Sequence, residues 1–170
     1  MPETMEQYKS RILSLAGDRN PLLFLAAAPD KLVQLTKGLT DGALSHKPAP
    51  GKWSIREIVA HLADDELVEA YRIRLILSSS GTAIQAFDQA RWAETGRYNS
   101  IDLAVSLNLF RTLREANLSL FKLLSANEWS RFGLHAERGK ETLRDIARYY
   151  AGHDFNHFSQ IESILTQLSA

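Results

Sequence analysis

The chain has 170 residues, with 20 Lys+Arg against 20 Asp+Glu and no cysteine. That length favours one domain, spanning 1–170, with enough chain to bury a hydrophobic core. The balanced charge offers no basic stripe for nucleic acid or an anionic membrane, and the missing cysteines exclude disulfides, thiolate metal sites and a cysteine nucleophile together.

The start, "MPETMEQYKSRI", is polar and lacks the apolar core of a signal peptide. The longest apolar run, "PLLFLAAAP", falls far short of the ~20 residues a membrane span needs. A soluble cytoplasmic protein is expected. Helical periodicity dominates and strand-like alternation is nearly absent. Residues 4–16 read as a short amphipathic helix ending near Gly17, and residues 21–38 as a second, broken or bent at Pro29 and stopped by Gly38. "LTDGALSHKPAPGKW" is a loop. Ser54 and Glu57 form a Ser-x-x-Glu capping box that opens a long helix running to about Leu77. Residues 81–99 read as a long loop with one helical turn, a length that often carries function. Ser100 is the expected cap of a third long helix, 101–125, and Thr142 of the last, 143–168, after a second connection. The sum is an all-α bundle, a fold that builds ligand and metal sites from side chains on facing helices.

The last helix carries His153 and His157, four apart and therefore on one face, in the stripe of Ile146, Tyr150, Ile161, Ile164 and Leu168. His61 lies two turns into the second long helix, with Val68 and Leu75 at its heptad positions. Three inward histidines from two helices could supply three nitrogen ligands and leave a position open for water or substrate. The alternative is three satisfied core histidines. His46 and His135 sit beside glycine or proline punctuation and read as exposed. "HDFNH" has the outline of the zincin His-Glu-x-x-His, but Asp154 is a methylene shorter than the required base, and little chain follows for a third ligand.

The stretch "KPAPGKWSIREIVAHLADDELVEAYRIRLIL", with "TLRDIARYYAGHDFNHFSQIESIL" near the end, resembles the DinB-like (YfiT-like) superfamily. The shared signals are Gly-Lys-Trp-Ser before a helix with an inward His, and a final His-x-x-x-His-x-x-Gln-Ile. The resemblance implies a four-helix bundle of up-down-down-up order, here with an extra short N-terminal helix. It also implies a divalent metal, zinc or nickel, held by His61, His153 and His157. Some relatives transfer low-molecular-weight thiols such as bacillithiol, others isomerise with a thiol, and many are described as hydrolases. The expected function is a metal-dependent enzyme on a small-molecule substrate, by thiol S-transfer ahead of hydrolysis. The alternative is a non-catalytic, metal-stabilised small-ligand-binding or stress-associated protein.

Around such a centre, Asp65 and Gln160 are candidates to orient ligands, and Tyr150 to donate a proton. Each has a plainer reading. Asp64, Asp65 and Glu66 form a solvated acidic edge, Gln160 makes a surface hydrogen bond, and Tyr150 is a core aromatic with its hydroxyl satisfied. Trp53 is expected to plug the bundle end, with substrate stacking as the alternative, Trp92 and Tyr98 to pack the long loop or cover a pocket mouth, and Arg72 and Arg74 to lie at the surface, with binding the carboxylate of a thiol cofactor as the alternative. The third helix, "LFRTLREANLSLFKLL", is apolar over a wide arc, from which a homodimer is expected.

Overall fold

A computed structural model describes residues 3–169; Met1, Pro2 and Ala170, the ends of the expected 1–170 domain, lie outside them. The described residues form eight α-helices: α1 (Met5–Ala16), α2 (Pro21–Thr36), α3 (Asp41–Ser45), α4 (Ile55–Ser78), α5 (Gln89–Thr95), α6 (Leu103–Leu123), α7 (Ala126–Trp129) and α8 (Leu143–Leu168). The caps explain the long ones. Ser54 accepts from the Glu57 N–H while Glu57 reaches back to the Ser54 N–H, and Thr142 does the same with Asp145. The third long helix is capped by Asp102 rather than Ser100, its carboxylate accepting from Ala104 and Val105 N–H; Ser100 lies in a 3₁₀ turn just before.

Helices α2, α4, α6 and α8 form the bundle, and their cross-contacts fix its order. Phe24 packs on Phe155 and Phe158 and Lys31 pairs with Glu162, so α2 and α8 run parallel. Asp30 pairs with Arg111 and the Leu25 carbonyl meets Arg114, so α2 and α6 are antiparallel. Arg56 reaches the Ile101 carbonyl and Glu66 meets Arg114, so α4 and α6 are parallel. In chain order that is up-down-down-up. The extra helix α1 lies across α8 at Gly152, where a Cβ would come within 2.0 Å of the Ile12 carbonyl oxygen; only glycine lets the two backbones this close.

Helix α2 does not break at Pro29. Proline there removes the N–H that would bond to the carbonyl of Leu25. That carbonyl accepts instead from Arg114 Nη1 on α6, at 3.1 Å, so the ladder's gap is filled from a neighbouring helix.

Two connections contain strands that hydrophobic patterning does not show. β1 (Thr82–Ile84) pairs in parallel with β2 (Phe132–His135), which pairs antiparallel with β3 (Gly139–Thr142). Three or four residues are too few to display an alternating pattern. The pairing also buries His135, 4% exposed against its expected exposure, while His46 is exposed as expected.

The core is divided. One large apolar cluster gathers Ile73, Phe121, Leu143 and Ile146, a second Leu32, Ile58, Leu62, Phe110, Phe158 and Ile161, and a small third Ala60, Ala93 and Tyr98. Between the first two, at one level across the bundle, runs a belt of buried polar side chains. It comprises His61, Asp65, Glu66 and Glu69 from α4, Arg114 and Asn117 from α6, and His153, Asp154 and His157 from α8.

Candidate metal centre

The belt overturns the reading of Asp64, Asp65 and Glu66 as a solvated edge. Asp65 and Glu66 are buried, and Asp64 accepts a hydrogen bond from the Tyr98 hydroxyl at 2.5 Å. Tyr98 is itself buried, so it packs the long loop down, while Trp92 leans on Phe87. The organising cation is Arg114, from a helix 48 positions along the chain. Its guanidinium holds Glu66 and Asp154, each at 2.7 Å, as well as the Leu25 carbonyl. One side chain of α6 thus ties down α2, α4 and α8. Burial still pushes Asp154 up to about 6, with Arg114 opposing. Asp154 is turned into this ion cluster, which removes the zincin arrangement on geometric grounds.

On the other side of the belt the three histidines meet. His153 Nε2 is 3.1 Å from His157 Nε2 and 3.4 Å from His61 Nε2, and all three rings are buried. Trp53 closes over them: its ring centroid is 4.8 Å from that of His61 and 6.3 Å from that of His157, nearly parallel to the latter. Trp53 therefore packs against the histidines rather than only plugging the bundle end.

Proton bookkeeping is informative here. Gln160 Oε1 lies 2.9 Å from His157 Nδ1; an amide oxygen only accepts, so Nδ1 donates and Nε2 keeps its lone pair. Asp65 Oδ2 lies 3.3 Å from His153 Nδ1, close but off the hydrogen-bond line, and favours the same tautomer. His61 Nδ1 is buried without a partner. Burial, together with the neighbouring imidazole of His157, holds His61 far below the usual histidine range, and burial does the same for His153 with both other rings adding to it. Burial brings His157 down to about 4, Gln160 opposing. All three rings are neutral at pH 7, the form that ligates metal.

Neutral imidazoles whose lone pairs point at one another repel unless a cation lies between them. The spacing suits a metal: nitrogens about 2.0–2.1 Å from a tetrahedral ion lie about 3.3 Å apart. The observed 3.1 and 3.4 Å bracket that value. The donor set therefore fits a divalent transition-metal ion, with no thiolate in the chain to compete.

Of the three ligand candidates, His157 opens outward. It lines a cleft of about 480 Å³ with Trp53, Ile58, Asn156, Gln160 and Lys52. Gln160 is exposed at the cleft and bonded to His157, which unites its two expected roles. Tyr150 is buried as expected, but its hydroxyl has no partner; its ring is 6.3 Å from His153. Arg72 is buried rather than superficial, whereas Arg74 is exposed. Trp53 and Arg114 were legible only in part. The Gly-Lys-Trp-Ser turn marks the first, and nothing in the sequence ties the second to a run on another helix.

A helical bundle with a buried histidine triad facing a cleft defines a class of candidate metal-dependent proteins. The chain belongs to the DinB superfamily, whose family model matches residues 25–161. It is 30% identical over 114 residues to a relative from Oceanobacillus iheyensis, and 29% identical over 142 residues to YfiT of Bacillus subtilis, both named "putative metal-dependent hydrolase". The matched stretches cover 67% and 82% of this chain, and 66% and 79% of the respective relatives. The solved structure of YfiT, described as a four-helix bundle of unusual topology, superposes with a TM-score of 0.81 at 25% identity, covering 98% of this chain and 90% of the other. No helix among the described residues is long and apolar enough to cross a membrane.

Proposed function

We propose that His61, His153 and His157 hold a divalent metal and that the protein is a metal-dependent enzyme acting on a small molecule, by transfer of a low-molecular-weight thiol ahead of hydrolysis. The observation that carries the first part is the convergence of three neutral Nε2 atoms at 3.1 and 3.4 Å. A divalent ion there supplies Lewis acidity, lowering the pKa of a water or thiol in its open position.

The chain's own groups favour the thiol. Among the described residues no Asp or Glu lines the cleft beside His157, so no carboxylate there stands ready to take a proton from an attacking water. A thiol ionises more readily and needs that help least. Lys52 lines the cleft and suits an anionic co-substrate, whereas Arg11, also in its lining, is paired with Glu3. Gln160 fixes the His157 ring, Trp53 shields the rings from solvent, and the absence of cysteine leaves no internal thiol to occupy the centre.

The test sets the two reactions side by side. Protein loaded with zinc or nickel is given 1-chloro-2,4-dinitrobenzene with cysteine, coenzyme A or bacillithiol, and separately p-nitrophenyl acetate without thiol. Thioether formation with release of chloride, dependent on metal and lost in His157→Ala, is the expected result. Metal-dependent ester cleavage without thioether formation would assign hydrolysis instead. Neither reaction, in protein that holds metal, would favour a binding protein.

A further inference from the structure

A second cavity, of about 540 Å³, opens between α4 and the segment leading from β1 into α5. Its walls are mixed: Val68, Leu75, Ile84, Phe87 and Trp92 form an apolar side, the last two rings lying 4.7 Å apart, and Tyr71, Arg72, Gln85 and Asp88 also line it. None of the three histidines lines it, and Arg72, its single cationic residue, follows His61 by three helical turns, about 16 Å along the axis.

Arg72 is 4% exposed, yet among the described residues no carboxylate oxygen lies within 4.0 Å of its guanidinium. Arg114 and Arg138, by contrast, each hold a carboxylate at 2.7 Å. A buried cation without a counter-ion is costly. Asp65 feels its charge only from farther away. Arg72 Nη2 donates to the Gln85 carbonyl at 2.9 Å and also faces His135 Nε2 at 3.3 Å.

That second contact is informative. His135 Nδ1 accepts the backbone N–H groups of Glu137 and Arg138, at 3.1 and 3.2 Å. Its neutral ring must then carry the hydrogen on Nε2. Burial, with Arg138 and Arg72 nearby, holds the ring neutral, its pKa down at about 4. Two donors therefore meet head to head, both on residues 4% exposed. Arg72 Nη2 gives one hydrogen to the Gln85 carbonyl, while the hydrogen that faces the ring and the one on His135 Nε2 meet no oxygen among the described residues, and such demands are rarely left unmet in a buried setting.

We propose that this cavity is a binding site for a small monocarboxylate with a flat apolar body, the carboxylate accepting from Arg72, which lines it, and the body lying along Phe87, Trp92 and Leu75. A planar guanidinium matches a carboxylate in shape. A dianionic phosphate suits the cavity less well, because one cation cannot balance its second charge. Asp88 also stands on the rim, its carboxylate already committed to the Arg91 N–H at 2.9 Å.

The test is calorimetric titration near neutral pH with benzoate, phenylacetate and indole-3-acetate, and with uncharged benzamide, on native protein and on protein stripped of metal by a chelator. The expected result is binding of at least one carboxylate, no binding of benzamide, and the same affinity in stripped protein, which separates this cavity from the histidine triad. Arg72→Gln is expected to weaken binding about 10- to 100-fold. Should that variant fail to fold, Ala86→Phe, which fills the cavity and keeps Arg72, is expected to abolish binding with the fold retained by circular dichroism. Failure of all three carboxylates at millimolar concentration, equal binding of benzamide, loss of binding in stripped protein, or unchanged binding in folded Arg72→Gln or Ala86→Phe would each overturn the proposal.

Discussion

Replacing Arg114 by methionine removes the one cation inside the belt that holds the four helices together. Glu66 and Asp154, both 1% exposed, would be left facing each other's charge with no counter-ion, and the Leu25 carbonyl would lose its donor. Breaking a buried pair by removing one partner costs about 3–5 kcal/mol, which in a domain of this size lowers Tm by about 6–20 °C. The loss depends on pH with a definite sign. Without Arg114 the folded-state pKa of Asp154, already above its unfolded value, rises further, so its charged form penalises folding at neutral pH. That penalty fades as pH falls toward the unfolded carboxyl range, about 4. Urea denaturation of wild type and Arg114→Met at several pH values is the assay. The deficit should be largest above neutrality and shrink on acidification. The triple variant Arg114→Met, Glu66→Gln, Asp154→Asn should recover much of it. An Arg114→Met protein within about 1 kcal/mol of wild type near neutral pH would refute the reasoning, because that is the worth of an exposed pair.

Three further outcomes follow from the same geometry. Gly152→Ala forces α1 away from α8, since its Cβ would sit 2.0 Å from the Ile12 carbonyl oxygen. Despite alanine's helix propensity, we expect a loss of about 1–3 kcal/mol by denaturant melting, and a neutral or stabilising result would contradict the close approach. Gln160→Leu leaves His157 Nδ1 without its acceptor and should weaken metal binding about 10- to 100-fold in competition with a chromophoric chelator; unchanged affinity would show that the bond does not position the ring. Because His135 is held down to about 4 by burial, Arg138 and Arg72, the unfolded chain takes up a proton between pH 6.5 and 4 that the folded chain refuses. Stability should fall as pH is lowered through that window, and fall less steeply in His135→Gln; parallel slopes would argue against a neutral buried ring.

What the sequence disclosed depends on the range of the interactions. Ser54 with Glu57 and Thr142 as caps are local devices, and both helix starts stand where those residues place them. The histidine triad was legible because two members lie on one helical face and the third on an inward helix. Most of the misreadings involve partners distant in the chain. Asp65 and Glu66 look like a solvated run until Arg114 arrives from α6, and Pro29 looks like a break until the same arginine takes up the Leu25 carbonyl. His135 looks exposed until β1 and β3 close on β2. Asp102 outcompetes Ser100 as a cap at a distance of two residues, within the usual uncertainty of a helix end. On α6, Phe110, Leu118 and Phe121 fill the core, whereas Val105, Leu109 and Leu123 remain exposed, so the wide apolar arc is shared between core and surface.

The central claim is that His61, His153 and His157 hold one metal ion. Its most direct test is metal content by mass spectrometry on tag-free protein, alongside His61→Ala and His157→Ala. The account predicts about one divalent ion per chain in the wild type, lost in both variants. A wild-type chain that holds no metal after incubation with zinc or nickel at neutral pH, or variants that hold as much as the wild type, would contradict it.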